Sequence, residues 1–278
     1  MKGNGRDLVA YSLTDAGKNR VSNEDSFLYA EIQGRGGGTA YLMTVADGMG
    51  SNRRGEIASR RIIEIFKGYI NSDPVENVPA FLKEALTEAN RSIYEMSYKT
   101  SKLQMMGSTC TAMFWMSGKA YIAHVGDSST YLIRRGEVIK LTKDHTVDEE
   151  MAECRIIPIK RSGVCAEGNF PLRAIGINSE VEVDLLPPVN TEPGDIFVLC
   201  SDGLTDFVRE DEIRDIVNLY SPDEACHILV SIANERGGGD NITVQVAKAL
   251  VGAKSTSGVL DGLKDLCLWF SRLAGFCQ

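Results

Sequence analysis

The sequence predicts an antiparallel α+β layered fold, on three observations. Apolar, β-branched runs bounded by Gly, Asp or Asn recur along the chain. Two short hairpin signals, Ser117-Gly118 and Arg135-Gly136, each separate a pair of these runs. Strand-like runs sit with strand-like runs and helical spacings with helical spacings, unlike the regular alternation of a doubly wound sheet.

The elements follow in order. Residues 9–13, 27–30 and 41–46 read as strands, with a flexible turn at 34–38 (GRGGG) between the last two. Helical spacing appears at Ala58, Ile62, Ile65, Phe66 and Tyr69, and again at Phe81, Ala85, Ala89, Ile93 and Met96. Strands follow at 111–116, 120–125, 129–133, 138–141 and 196–200. A third helix starts where Ser221 can cap, Pro222 takes the first helical position and Glu224 completes a capping box. Residues 237–239 (GGG) form a helix-to-strand loop ahead of a last strand at 242–246.

The chain has 278 residues, enough for one or two domains at roughly 150 residues each. Hydrophobic residues make up 43% and charged residues 24%, which excludes disordered and fibrous classes. Lys+Arg 30 against Asp+Glu 38 leaves a formal charge of −8, against a nucleic-acid partner. An acidic protein still handles phosphate where metal ions invert the local field. Seven scattered cysteines form no CxxC pair, a pattern of reduced thiols that predicts a cytoplasmic protein. No stretch approaches the roughly 20 apolar residues of a membrane span. No linker divides residues 1–250, and composition changes only at 252–258 (GAKSTSG). The expected organisation is one domain over 1–250, a linker at 251–258 and an amphipathic segment at 259–278.

The most informative feature is where aspartates fall. Asp47 and Asp202 each end an apolar run and precede a glycine; Asp127 follows Val125-Gly126; Asp240 follows three glycines and opens the last strand. Rigid strands place ligands accurately, and glycine admits close backbone approach. Asp-Gly marks many ordinary turns, but four such junctions together predict carboxylates meeting at one end of the sheet. Clustered carboxylates repel unless hard cations neutralise them, and oxygen donors without a His/Cys cluster favour Mg²⁺ or Mn²⁺ over Zn²⁺. Arg20 and Asn23-Glu24-Asp25 form a second polar cluster. It reads either as a solvated loop or as a phosphate-gripping Arg fork with carboxylates that hold metal-bound water.

At these residues the chain resembles the metal-dependent protein Ser/Thr phosphatases of the protein phosphatase 2C family, in their bacterial form. The matching pieces occur in family order: Arg20-Val-Ser-Asn-Glu24-Asp25, Val45-Ala-Asp47-Gly48-Met-Gly50, Gly107-Ser-Thr109, His124-Val-Gly-Asp127-Ser128, Leu141-Thr-Lys-Asp-His-Thr146, Leu172-Arg-Ala-Ile-Gly176, Cys200-Ser-Asp202-Gly203-Leu204 and Gly239-Asp240-Asn241-Ile-Thr243. The match spans about residues 6–249. The resemblance implies a central antiparallel β-sandwich flanked by helices, with the metal centre at one end. It implies that Asp47 bridges two Mn²⁺ or Mg²⁺ ions, that the Gly48 carbonyl ligates the first, and that Asp202 and Asp240 ligate the second. Asp127, with Asp202, would serve a weaker third ion. Glu24, Asp25 and Asn241 would support the site from behind, the two carboxylates through bound water, and Arg20 would hold the substrate phosphate. The implied activity is hydrolysis of phosphoserine and phosphothreonine in proteins by direct attack of a metal-bridging hydroxide. Phosphoproteins opposed by a Ser/Thr kinase are the implied substrates.

Three departures from the family pattern stand out. Ser51 replaces a common Gly, Ser129 an Arg, and Met49 occupies the place where animal members often carry a His, so no general acid is named. The segment 148–171 corresponds to the variable flap beside the site. A partner-binding pseudophosphatase would have signalled itself by loss of Asp47, Asp202 or Asp240. An unrelated two-metal nuclease would want a basic groove. Cys110, Cys200 and all three histidines read as structural. Residues 259–278 place Leu263, Leu266, Phe270 and Leu273 on one helical stripe. They read either as a terminal helix folded back on the domain or as a docking helix, for which balanced charge favours a protein partner over anionic lipid.

Overall fold

The computed structural model describes residues 2–4, 7–33, 38–50, 54–72, 75–100, 106–146 and 173–252. Ser51, the flap at 148–171 and the segment 259–278 lie outside them. So does 253–258, most of the expected linker.

Fourteen strands are described: β1 (Lys2–Asn4), β2 (Leu8–Asp15), β3 (Ser26–Gln33), β4 (Thr39–Ala46), β5 (Gly48–Gly50), β6 (Met106–Ser108), β7 (Cys110–Met116), β8 (Lys119–Val125), β9 (Ser129–Arg134), β10 (Glu137–Lys140), β11 (Asp184–Leu185), β12 (Val189–Asn190), β13 (Ile196–Cys200) and β14 (Ile242–Ala249). The described helices are α1 (Arg54–Ser72), α2 (Val78–Thr100), α3 (Asp202–Thr205), α4 (Glu210–Leu219) and α5 (Pro222–Glu235).

One sheet runs β1-β2-β14-β13-β9-β10; the second runs β11-β8-β7-β4-β3, with β12 also on β8. Every pairing is antiparallel. Side-chain alternation explains the stacking. On β4, Leu42 and Ala46 pack toward α1 and α2, while Tyr41, Met43 and Val45 face the other sheet. On β13, Phe197 and Leu199 meet that inter-sheet layer, while Ile196, Val198 and Cys200 pack under α4 and α5. Strands covered on both faces read as unbroken apolar runs, which is why β4 and β13 were legible without alternation. The result is helices, sheet, sheet, helices, as expected.

Both hairpin signals hold. Ser117 and Gly118 take φ 54 and 76, and Arg135 and Gly136 take 55 and 84, the left-handed pair that matches the twist of the flanking strands. Helix α5 starts as the sequence predicts, with Pro222 at its first turn and the Glu224 carboxylate accepting from the Ser221 N–H at 3.1 Å. The expected set lacks α4, although Ile213 and Val217 are buried four apart behind three acidic residues. It also lacks β1, β5, β6, β11, β12 and α3, each of four residues or fewer. Among the described residues no helix is long and apolar enough to cross a membrane.

Candidate metal centre

The topology gathers the four strand-end aspartates at one end of the sandwich. Asp47 follows β4 and Asp127 follows β8, both in one sheet. Asp202 follows β13 and Asp240 precedes β14, neighbours in the other. Asp25 sits just before β3, buried where the two sheets meet. Asp47 and Asp202 are half-buried residues, and Asp202 Oδ1 is itself buried.

Burial and mutual repulsion dominate the electrostatics. The Asp47 carboxyl is pushed well above the usual carboxylate range, first by burial and then by Asp25, Asp202, Asp127 and Asp240. Asp202 is pushed up in the same way, by burial and then by Asp127, Asp206 and Asp240. Asp25 rises to about 6 through burial, although hydroxyls from Thr243 and Ser201 pull the other way. Asp127 also rises to about 6, through burial and the nearby Asp144. Burial raises Glu24 against the opposing pull of Arg20.

The backbone around these groups is pinned. The Asp47 carbonyl accepts from the Thr109 N–H at 2.8 Å and from Ser108 Oγ at 2.8 Å, while its N–H donates to Thr109 Oγ1 at 3.2 Å. Asp25 Oδ2 accepts from Ser201 Oγ at 2.8 Å and Thr243 Oγ1 at 2.6 Å, so β3, β13 and β14 are tied together through one carboxylate. Asn241 accepts the Glu24 N–H at Oδ1 and donates through Nδ2 to the Ala16 and Ser22 carbonyls, stapling the Arg20 loop to β14. Gly48 lies against the start of α1: a Cβ there would stand 2.1 Å from the Gly55 oxygen and 2.5 Å from that of Glu24. Only glycine permits that approach.

The donor set suits a hard cation. Asp25 Oδ1 and Asp202 Oδ1 are buried without a hydrogen-bond partner. The Asp25 and Asp202 carboxyls are also the two that act most strongly on Asp47. Acceptors meeting acceptors are satisfied only by a proton or a cation between them. Among the described residues no three His, Cys, Asp or Glu side chains already stand in ligating geometry. The fit therefore rests on the unmatched oxygens and on an oxygen-only donor set.

The structure brings Arg20, Glu24, Asp25, Asp47, Gly48, Asp127, Asp202, Asp240 and Asn241 to one end of the sandwich, with one difference from expectation. Arg20 Nη2 is paired with Asp240 Oδ2 at 2.6 Å rather than standing as an open fork. Asp25 Oδ2 is held directly by two hydroxyls, and its Oδ1 is left without a partner. Sequence reasoning missed Asp206, whose carboxyl is raised by burial and by Asp240. Its spacing of four from Asp202 was a readable signal. It also missed the roles of Ser108, Thr109, Ser201 and Thr243. Ser129 opens β9 as a buried residue, so no charge replaces the family Arg there. Cys110, Cys200 and Cys226 are buried and free; burial lifts the Cys200 and Cys226 thiols to about 12 and Cys110 also upward, so none is a nucleophile.

A two-sheet sandwich between helical layers, with an oxygen-only acidic cluster at one end, fits the class of metal-dependent phosphatases. The chain belongs to the protein phosphatase 2C family, whose sequence model, described as Protein phosphatase 2C, matches residues 16–225. The serine/threonine phosphatase stp of Listeria welshimeri is 33% identical over 237 residues, 83% of this chain and 92% of that protein. The solved Mycobacterium tuberculosis serine/threonine phosphatase PstP/Ppp aligns with a TM-score of 0.78 at 30% identity, over 87% of this chain and 99% of that one. The catalytic domain of PstP in complex with two manganese ions aligns at 0.74 and 30% identity, over 88% of this chain and 99% of that one.

Proposed function

We propose that the chain is a metal-dependent protein serine/threonine phosphatase that removes phosphate from phosphoserine and phosphothreonine. The observation that carries this reading is the set of buried, unmatched carboxylate oxygens gathered around Asp47. Asp47, the Gly48 carbonyl, Asp202 and Asp240 would hold two Mn²⁺ or Mg²⁺ ions, and Asp127 with Asp202 would serve a weaker third. Bound divalent cations supply an acidified water and offset charge on the phosphoryl oxygens. Arg20, released from Asp240, grips the substrate phosphate through paired N–H donors. Asp25 and Asn241 fix the loop and strand ends, and Glu24, beside Gly55 at the start of α1 with its carboxyl raised by burial, acts with Asp25 through bound water.

Residues 1–250 form the catalytic domain, 251–258 a linker and 259–278 an amphipathic segment that docks a protein partner or folds back. The substrates are phosphoproteins made by a Ser/Thr kinase, and the enzyme acts in the cytoplasm. The test is release of phosphate from a phosphothreonine peptide, expected to need Mn²⁺ and to stop reversibly with EDTA. Turnover that survives exhaustive chelation would refute the reading.

A further inference from the structure

The turn between β8 and β9 carries Asp127, and two histidines set its shape. The Gly126 N–H donates to His145 Nδ1 at 3.0 Å. The Gly126 carbonyl accepts from the His145 backbone N–H at 2.8 Å and from His124 Nε2 at 2.9 Å. A peptide N–H only donates and a carbonyl only accepts, so these contacts fix both tautomers. His145 carries its proton on Nε2, which donates to Asp184 Oδ2 at 3.1 Å. His124 carries its own on Nε2, leaving Nδ1 bare, and that atom is buried without a partner. Burial and the neighbouring His145 keep His124 neutral, lowering it to about 3. The two rings lie 4.9 Å apart and are both buried.

Asp184 is fixed in turn. It pairs with His124 across β11 and β8, and Arg173 Nη1 donates to its Oδ1 at 3.1 Å. On its other side Gly126 closes against Thr109, where a Cβ at φ +109 would stand 2.6 Å from the Thr109 Cβ. Thr109 Oγ1 also meets Ser128 Oγ at 2.6 Å, and Thr109 is the residue that pins Asp47. The Gly126-Asp127-Ser128 turn is thus gripped between Thr109 and the two histidines, and the side-chain part of the His145 grip depends on one ring nitrogen.

We propose that His145, oriented by Asp184, is a positioning residue for the metal centre: its ring holds the N–H and its backbone N–H the carbonyl of Gly126, and fixing both peptide groups around Gly126 aims the Asp127 carboxylate. This rests on the reading of Asp127 as a ligand of the weaker ion. A merely structural histidine would tolerate either amide replacement equally; a positioning one distinguishes them. His145→Asn keeps an acceptor two bonds from Cβ, where Nδ1 stands. His145→Gln keeps polarity at the Nε2 position and removes the Gly126 acceptor.

The experiment uses the full chain and three readouts: amide exchange at Gly126, Mn²⁺ binding by calorimetry, and Mn²⁺ dependence of phosphothreonine-peptide turnover. His145→Gln is expected to speed Gly126 exchange and to weaken the weakest-bound Mn²⁺, each by about tenfold. Its KM for peptide should stay unchanged, with turnover restored by excess Mn²⁺. His145→Asn should stay within about threefold of wild type, and Asp184→Ala should fall between the two. Asp127→Asn should lose the same weak ion. Equal losses in the Asn and Gln variants, or wild-type behaviour in both, overturn the positioning role while leaving the phosphatase reading intact. An Asp127→Asn protein with an unchanged Mn²⁺ titration overturns the ligand assignment and this proposal with it. Mn²⁺-independent turnover instead strikes the phosphatase reading itself.

Discussion

Strand β13 carries an aspartate at each end, and the two ends obey different rules. Asp195, just before the strand, is 2% exposed and fully partnered. Arg134 donates to it twice, at 2.8 and 2.6 Å, and the Glu192 N–H adds a third hydrogen bond at 2.7 Å. Asp202, just after the strand, has a buried oxygen with no partner and is surrounded by Asp127, Asp206 and Asp240. A buried charge persists when its compensation is built in or when something else brings it. The Asp195 end brings its own cation and is architecture. The Asp202 end has no built-in cation, which is what the proposed metal site requires.

The sharpest way to break that contrast is to neutralise one carboxylate of the cluster around Asp202 and, separately, the cation that holds Asp195. Asp47→Asn should lower kcat by at least a hundredfold, on the order expected when a principal electrostatic stabiliser is lost. The metal-free protein should melt no lower than wild type, because repulsion is relieved. A variant with near wild-type turnover in saturating Mn²⁺ would show that the cleft is not the site. At the other end, Arg134→Met strands Asp195 without its cation and should cost about 3–5 kcal/mol of folding stability. Urea unfolding measures the loss, and kcat in the folded protein should not change. Stability retained in that variant would mean that Asp195 is not held as a buried charge.

Acid–base behaviour gives a finer test. Burial lifts Asp25 to about 6 from an ordinary 3.8. Between about pH 4 and 6 the folded, metal-free protein therefore keeps a proton that the unfolded chain has released. The stability Asp25 contributes is fully present below about pH 4 and is lost as pH rises through about 6, a change on the order of 2–3 kcal/mol. Urea midpoints in EDTA at pH 4.5 and 7 should show wild type losing more than Asp25→Asn by about that amount. Parallel losses would show that Asp25 titrates normally.

Much of this was legible in the sequence wherever the physics is local. Ser221-Pro222-Asp223-Glu224 sets a helix start within four residues, and Ser117-Gly118 sets a hairpin within two. The clustering of Asp47, Asp127, Asp202 and Asp240 was legible because each sits beside a glycine at one end of an apolar run. The small β5–β6 pair was not, because Gly48–Gly50 and Met106–Ser108 meet only after α1 and α2 have folded back on the sheet. Nor were the hydroxyl anchors. Serine and threonine are ordinary everywhere, and Ser201 and Thr243 acquire a role only when β13 and β14 bring them to Asp25. Arg20 was read as a phosphate fork, and its pairing with Asp240 depends on a contact between residues at opposite ends of the domain.

That pairing carries the smallest expected effect. The Arg20 side chain is 55% exposed and that of Asp240 is 32% exposed, so their ion pair is solvated and contributes about 0–1 kcal/mol to stability. Arg20→Ala should therefore leave the melting temperature nearly unchanged. It should not weaken Mn²⁺ binding, since it removes a cation that competes for Asp240. Its cost should appear with substrate: about a tenfold rise in KM for a phosphothreonine peptide, near 1.4 kcal/mol, with a smaller fall in kcat, because a guanidinium fork grips phosphate in the ground and transition states alike. Kinetics beside calorimetric Mn²⁺ titration separate the outcomes. Loss of metal binding together with activity would make Arg20 part of the frame that holds Asp240, as Arg134 holds Asp195, and the two ends of β13 would then differ in degree rather than in kind.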